Sequence, residues 1–149
     1  MNVELINPFI QGTQQTLSMV CNVQSKMGKV SIKNKPFDNK INITIGILGD
    51  IKGKVNYAFD LNVALFIASK MMFMEVTNLD DISKSAICEL TNMISGSIAT
   101  VFSNSGKFVD ITTPILEENY SNCDVEKFIS IPLEIEPGKI FEINVWIEG

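Results

Sequence analysis

The chain has 149 residues, the size of one ordinary domain, and its 46% hydrophobic and 19% charged residues describe a protein that folds around a core and does not stay disordered. Its net charge of −5 comes with no cluster of Lys and Arg, which excludes the phosphate-neutralising surface that a nucleic-acid partner requires. It contains no histidine, so Ser-His-Asp and Cys-His nucleophiles, His general bases, phosphohistidine transfer and most zinc sites are excluded. Any chemistry must run on carboxylates, carboxamides, hydroxyls, lysines or a partner's groups.

Cys21, Cys88 and Cys123 are widely spaced and odd in number, with no CxxC pair, a usage that suits a reducing cytosol. Met1-Asn2-Val3-Glu4 shows no basic stretch leading into an apolar core, so no signal peptide is expected. The densest apolar run, Ala64 to Ala68, falls far short of the ~20 residues that cross a bilayer. The expectation is a cytoplasmic protein with neither nucleic acid nor membrane among its partners.

Val3, Ile6, Ile10, Thr13, Leu17 and Val20, with Phe9 beside them, predict an amphipathic helix from about Asn2 to Cys21. Asn7-Pro8 interrupts its start, because Pro is at ease only in a first turn; either the helix begins near Asn7 or the preceding turn is irregular. Lys29 to Lys33 alternates as a half-exposed strand, and Asn34-Lys35-Pro36 signals a turn. Ile41 to Leu48 and Ile51 to Phe59 form a hairpin through Gly49-Asp50, with Val55, Tyr57 and Phe59 on one face. Asp60 can cap a helix from Leu61 to about Phe73, whose Val63, Ala64, Ile67, Ala68, Met71 and Met72 make a broad apolar stripe.

A long helix is predicted next, roughly from Asp80 to Asn104, with Asp80 as cap, Asp81 in the first turn and Gly106 as stop. Its apolar residues stand at 82, 86, 87, 90, 93, 94, 98, 101 and 102. Lys107 to Thr112 reads as a strand ending at Pro114, and Glu117 to Asn122 as an exposed, turn-rich segment. Phe128 to Ile135 alternates, but Pro132 predicts an edge position or a bulge. Pro137-Gly138 turns the chain into a last strand, Ile140 to Ile147. Helix, three strands, two helices and three strands predict a single α+β domain over 1–149, a mainly antiparallel sheet with amphipathic helices on one face.

The long helix carries the candidate site. With Leu90 at the centre of its buried stripe and ~100° per residue, Glu89 falls near −100° and Asn92 near −160°, neighbours on the outer surface. Ser85, Gly96 and Ser103 lie on the same wedge, so an acid and a carboxamide stand on a strip of otherwise small side chains. Gly96 costs about 1 kcal/mol relative to Ala in a helix interior, a hint that another molecule comes close to the backbone there. From the residues alone, two polar groups on a solvated helix face is the ordinary reading of this pair. Asp80-Asp81 could be a metal pair, though capping accounts for both, and Cys88 has no cationic sequence neighbour to make it a nucleophile.

The frame Glu89-Leu90-Thr91-Asn92-Met93-Ile94-Ser95-Gly96, preceded by a hairpin and a Met-ending helix, resembles the E-x-x-N helix of the CheC/CheX/FliY chemotaxis phosphatases. The single motif copy and the helix order are most similar to the CheX branch; Ser97 departs from the Asn expected in many relatives. The resemblance implies a hydrolase that removes the aspartyl phosphate of a CheY-type response regulator. It implies Glu89 and Asn92 as catalytic pair, Ser85, Gly96 and Ser103 as docking strip, no cofactor on this chain, Mg²⁺ brought by the regulator, and a homodimer. A non-enzymatic module of the same fold, as in the flagellar switch, is the alternative. A small-molecule pocket lined by the Met-rich helix is a third.

Overall fold

The computed structural model describes residues 5–34, 41–118 and 127–148. Among them the chain runs α1 (Asn7–Cys21), β1 (Lys26–Met27), β2 (Ser31–Lys33), β3 (Ile41–Gly49), β4 (Gly53–Phe59), α2 (Leu61–Met72), α3 (Asp81–Asn104), β5 (Val109–Ile111), β6 (Ile115–Glu118), β7 (Phe128–Glu136) and β8 (Lys139–Ile147). The strands form one sheet in the order β1-β7-β8-β4-β3-β5, with β2 also on β7 and β6 also on β3. Every pairing is antiparallel, so the expected α+β fold class is the observed one.

Alternation decides which face of the sheet is covered. Ile43, Ile45, Val55, Tyr57, Ile131, Leu133, Phe141, Ile143 and Val145 point to one side, and the helices close over them in a continuous core. Each such side chain contributes roughly 1.5–3 kcal/mol when fully buried. Burial of the Tyr57 phenol holds it ionised only far above its ordinary range, despite the Thr13 side chain beside it. On the other side of the sheet a row of polar residues is also buried. Asn144 Nδ2 donates to Asn56 Oδ1 at 3.1 Å, and Asn56 Nδ2 donates to Thr44 Oγ1 at 3.1 Å. These residues are direct cross-strand partners, so the row ties β3, β4 and β8 together in register.

α1 and α3 cross at a point only glycine allows. A Cβ on residue 12 would stand 2.6 Å from Ile98 Cγ1 and 2.8 Å from Ile98 N. Nearby, Phe9 meets Phe102 edge-to-face with centroids 5.6 Å apart. α1 begins at Asn7, which puts Pro8 in the first turn, where its missing N–H costs nothing. Thr13 and Thr16 are buried on its inner face, each hydroxyl donating to the carbonyl four residues back, at 2.7 Å and 2.9 Å.

The structure corrects three local expectations. Of the two readings of Pro132, the edge fails, because β7 lies between β8 on one side and β1 and β2 on the other; the bulge holds, because residues 28–30, between the paired Met27 and Ser31, face only Ile131 and Pro132. Gly28 N donates to Pro132 O at 2.8 Å, so Pro132's missing donor points at residues 28–30, where the chain leaves the ladder between β1 and β2. Glu117 and Glu118 belong to β6, paired with Asn42 and Ile41, and are not part of a turn. The single strand expected over 107–112 is the short β5, and β1 was not foreseen. The rest of the expected turns at 34–36 and 117–122, like residues 2–4 of the span expected for the first helix, lies outside the described residues apart from Asn34.

Candidate functional site

α3 is 24 residues long, and both its ends are fixed by named bonds. At the start, Asp80 Oδ1 accepts from Ser83 N at 2.9 Å and from Ser83 Oγ at 2.6 Å. The Ser83 hydroxyl and amide hold the Asp80 carboxyl below its ordinary value. Asp80 is thus committed to capping. At the other end, Lys107 N donates to Phe102 O at 2.9 Å and Gly106 N to Ser103 O at 3.0 Å, with Gly106 at φ +86°.

The inner face consists of Ser83, Ile87, Leu90, Thr91, Ile94, Ser95, Ile98 and Phe102. Thr91 Oγ1 donates to Ile87 O at 3.0 Å and Ser95 Oγ to Thr91 O at 2.8 Å, so these hydroxyls enter the core already satisfied. This turns the buried stripe towards Thr91 and Ser95 and away from Ile82 and Met93. Ile82, expected in the stripe, is 66% exposed, and Met93 is 39% exposed.

Glu89, Asn92, Ser85, Gly96 and Ser103 all stand exposed on the outer face of this one helix. An i, i+3 pair on a helix sets its Cβ atoms roughly 5–6 Å apart. Among the described residues, neither the Glu89 carboxylate nor the Asn92 carboxamide has a hydrogen-bond or ionic partner. Nothing lies within 4 Å of a Cβ built on Gly96, so the chain's own packing does not require glycine there. Asp81 is exposed near the start of the helix, while Lys84 reaches across to Glu118 at 2.8 Å. Burial raises the Cys88 thiol above its ordinary value, which disfavours the nucleophilic thiolate.

An acid beside an amide, unpaired and outward, can bind a cation and orient a water. Residues missed by sequence reasoning sit on the same face. On the ~100° step, Ile82 falls near −80° and Met93 near −60°, beside Glu89 near −100°, so their angles were legible once hydrophobicity was set aside. On the Met-rich α2, Met71 packs against the core. Two surface hollows of about 460 and 280 Å³ are lined by α1 with Met27, and by Leu5, Gly49–Lys52, Ile147 and Glu148. Among the described residues no three His, Cys, Asp or Glu come together as metal ligands, and no helix is long and apolar enough to cross a membrane.

A sequence model of the family described as "Chemotaxis phosphatase CheX" matches residues 41–134. A Thermotoga maritima protein named CheY-P phosphatase CheX is 29% identical over 154 aligned residues, covering 100% of this chain and 99% of that one. Among solved structures, a CheC-like superfamily protein from Shewanella sp. PV-4 superposes with a TM-score of 0.87 at 26% identity, covering 100% of both chains. CheX in the CheX-CheY-BeF3-Mg²⁺ complex from Borrelia burgdorferi does so with a TM-score of 0.80 at 28% identity, covering 99% of this chain and 100% of that one.

Proposed function

Because this chain belongs to the chemotaxis phosphatase CheX family, we propose that it hydrolyses the aspartyl phosphate of a CheY-type response regulator, with the outer face of α3 as the docking surface. The Thermotoga maritima relative is named for that reaction, and the Borrelia burgdorferi relative has been solved with CheY, BeF3 and Mg²⁺. The observation that carries the reading is the exposed Glu89 and Asn92 pair, which the chain leaves unpaired on a helix whose Gly96 backbone is open to a partner.

The chemistry suits a chain without histidine. An aspartyl phosphate is a mixed anhydride, and the regulator's own Mg²⁺ and lysine already neutralise its oxygens. Phosphoryl transfer then asks chiefly for positioning. Asn92 accepts a hydrogen bond through its carbonyl oxygen and donates through its amide, so it holds a water in line with the scissile P–O bond. The water oxygen bonds to phosphorus, the bond to the aspartyl oxygen breaks, the water proton leaves to solvent, and inorganic phosphate and a free carboxylate result. A carboxylate at position 92 would repel the phosphoryl group; a neutral amide does not. Glu89 pairs with a cation of the regulator and anchors the helix in its cleft.

The test is the decay of phosphorylated CheY-type regulators from the same cell, with and without this protein. Accelerated release of inorganic phosphate in Mg²⁺, abolished by chelation, is expected. Unchanged decay for every regulator, with binding retained, would favour the non-enzymatic module.

A further inference from the structure

The outer face of α3 exposes two large apolar side chains, Ile82 and Met93, at 66% and 39%. Neither placement is demanded by the fold, since the inward turn of Ser83, Thr91 and Ser95 completes the buried face without them. A solvated helix face is ordinarily charged or polar, and an exposed Ile lowers helix propensity without compensating burial. On a rise of ~1.5 Å per residue, Ile82 stands about 10 Å before Glu89 and Met93 about 6 Å beyond it. The three form a line, apolar, acid, apolar, with the Asn92 amide alongside.

That line bears on a question the polar pair cannot answer. Every phosphorylated regulator of this type would present the same phosphoryl group, metal and cation, so Glu89 and Asn92 meet equivalent groups whichever regulator docks. Discrimination has to come from surface around the reacting centre. We infer that Ile82 and Met93 are specificity-determining contacts, two apolar anchors that seat against the regulator on either side of its phosphorylated carboxylate and select which regulator is dephosphorylated. The inference rests on the function proposed above. Ile82, β-branched and stiff, demands a matching shape, whereas Met93 is unbranched and adapts. The two are therefore unequal: Ile82 sets the choice and Met93 supplies adaptable area.

The experiment compares Ile82→Ser and Met93→Gln with the unaltered protein against two phosphorylated regulators, reading KM and kcat separately, and reading the Kd for beryllofluoride-loaded regulator by calorimetry. Circular dichroism confirms that each variant folds. The expected result is a rise in KM and Kd of about tenfold, a loss of ~1.4 kcal/mol in binding, with kcat at saturation held. The preference between the two regulators narrows most for Ile82→Ser, and Ile82→Val and Met93→Leu restore most of the affinity. Unchanged KM and Kd in both serine and glutamine variants would overturn the inference while leaving the proposed hydrolysis intact. If the unaltered protein binds regulator without hastening decay, the hydrolytic reading fails and the Kd series still decides on the anchors. If it neither binds nor hydrolyses, both fall.

Discussion

A carboxamide does not titrate near neutrality, so whatever Asn92 contributes must come from where it is held. Its rigidity comes from the helix below it, where Leu90, Thr91, Ile94 and Ser95 are buried on the opposite face. Gly96, one turn on, gives a prediction that separates stability from docking. An added Cβ meets nothing within 4 Å, so Gly96→Ala should stabilise the fold by roughly 0.5–1 kcal/mol, seen as a higher denaturant midpoint. The same variant should bind regulator more weakly, because the methyl occupies the space of close approach. A Gly96→Ala protein that is more stable and binds equally well would show that the glycine has no part in docking. At the start of the helix, Asp80 supplies a pH prediction. Its folded pKa lies below the unfolded value, so its stabilisation is present above the unfolded value and is lost as pH falls through the folded one. Asp80→Asn should therefore flatten the acid limb of a stability-versus-pH curve. The acid, the amide and the cap were legible in the sequence because each depends only on local spacing. The exposure of Ile82 and Met93 was not, because hydrophobicity alone placed them in the stripe. Only the internal bonds of Thr91 and Ser95 show why hydroxyls took the buried positions.

At the level of elements, α3 is held in place by its crossing with α1 at Gly12. Gly12→Ala should cost more than the usual ~1–3 kcal/mol of overpacking, since the nearest atoms include Ile98 backbone that cannot swing aside. Thermal unfolding measures it; an unchanged Tm would mean that the crossing can open without loss. The hairpin of β3 and β4 and the long helix were readable from period and turn residues. β1 and β6 were not, because strands of 2 and 4 residues give too short a run for alternation to register. Pro132 marked the bulge but not the strand that carries the extra residue, which belongs to a chain excursion distant in sequence. The buried Asn56 and Asn144 likewise sit at polar positions of alternating strands, which sequence pattern assigns to solvent.

For the molecule as a whole, a net charge of −5 and the exposed Glu89 carboxylate on α3 favour a partner that offers a cation, as a regulator's phosphorylation cleft does. The family resemblance also carries the expectation of a homodimer. Light scattering should give twice the 16.5 kDa chain mass at micromolar concentration, and a value equal to the chain mass would contradict it. In a dimer the outer face of each α3 has to remain open to a regulator. The account stands or falls on Asn92. Single-turnover release of inorganic phosphate from a phosphorylated regulator, measured with the unaltered protein and with Asn92→Ala at saturating concentration, tests it directly. The predicted result is decay returned to the regulator's own rate, with the Kd for beryllofluoride-loaded regulator changed by less than about threefold, or ~0.7 kcal/mol. Full-rate dephosphorylation by Asn92→Ala would contradict it.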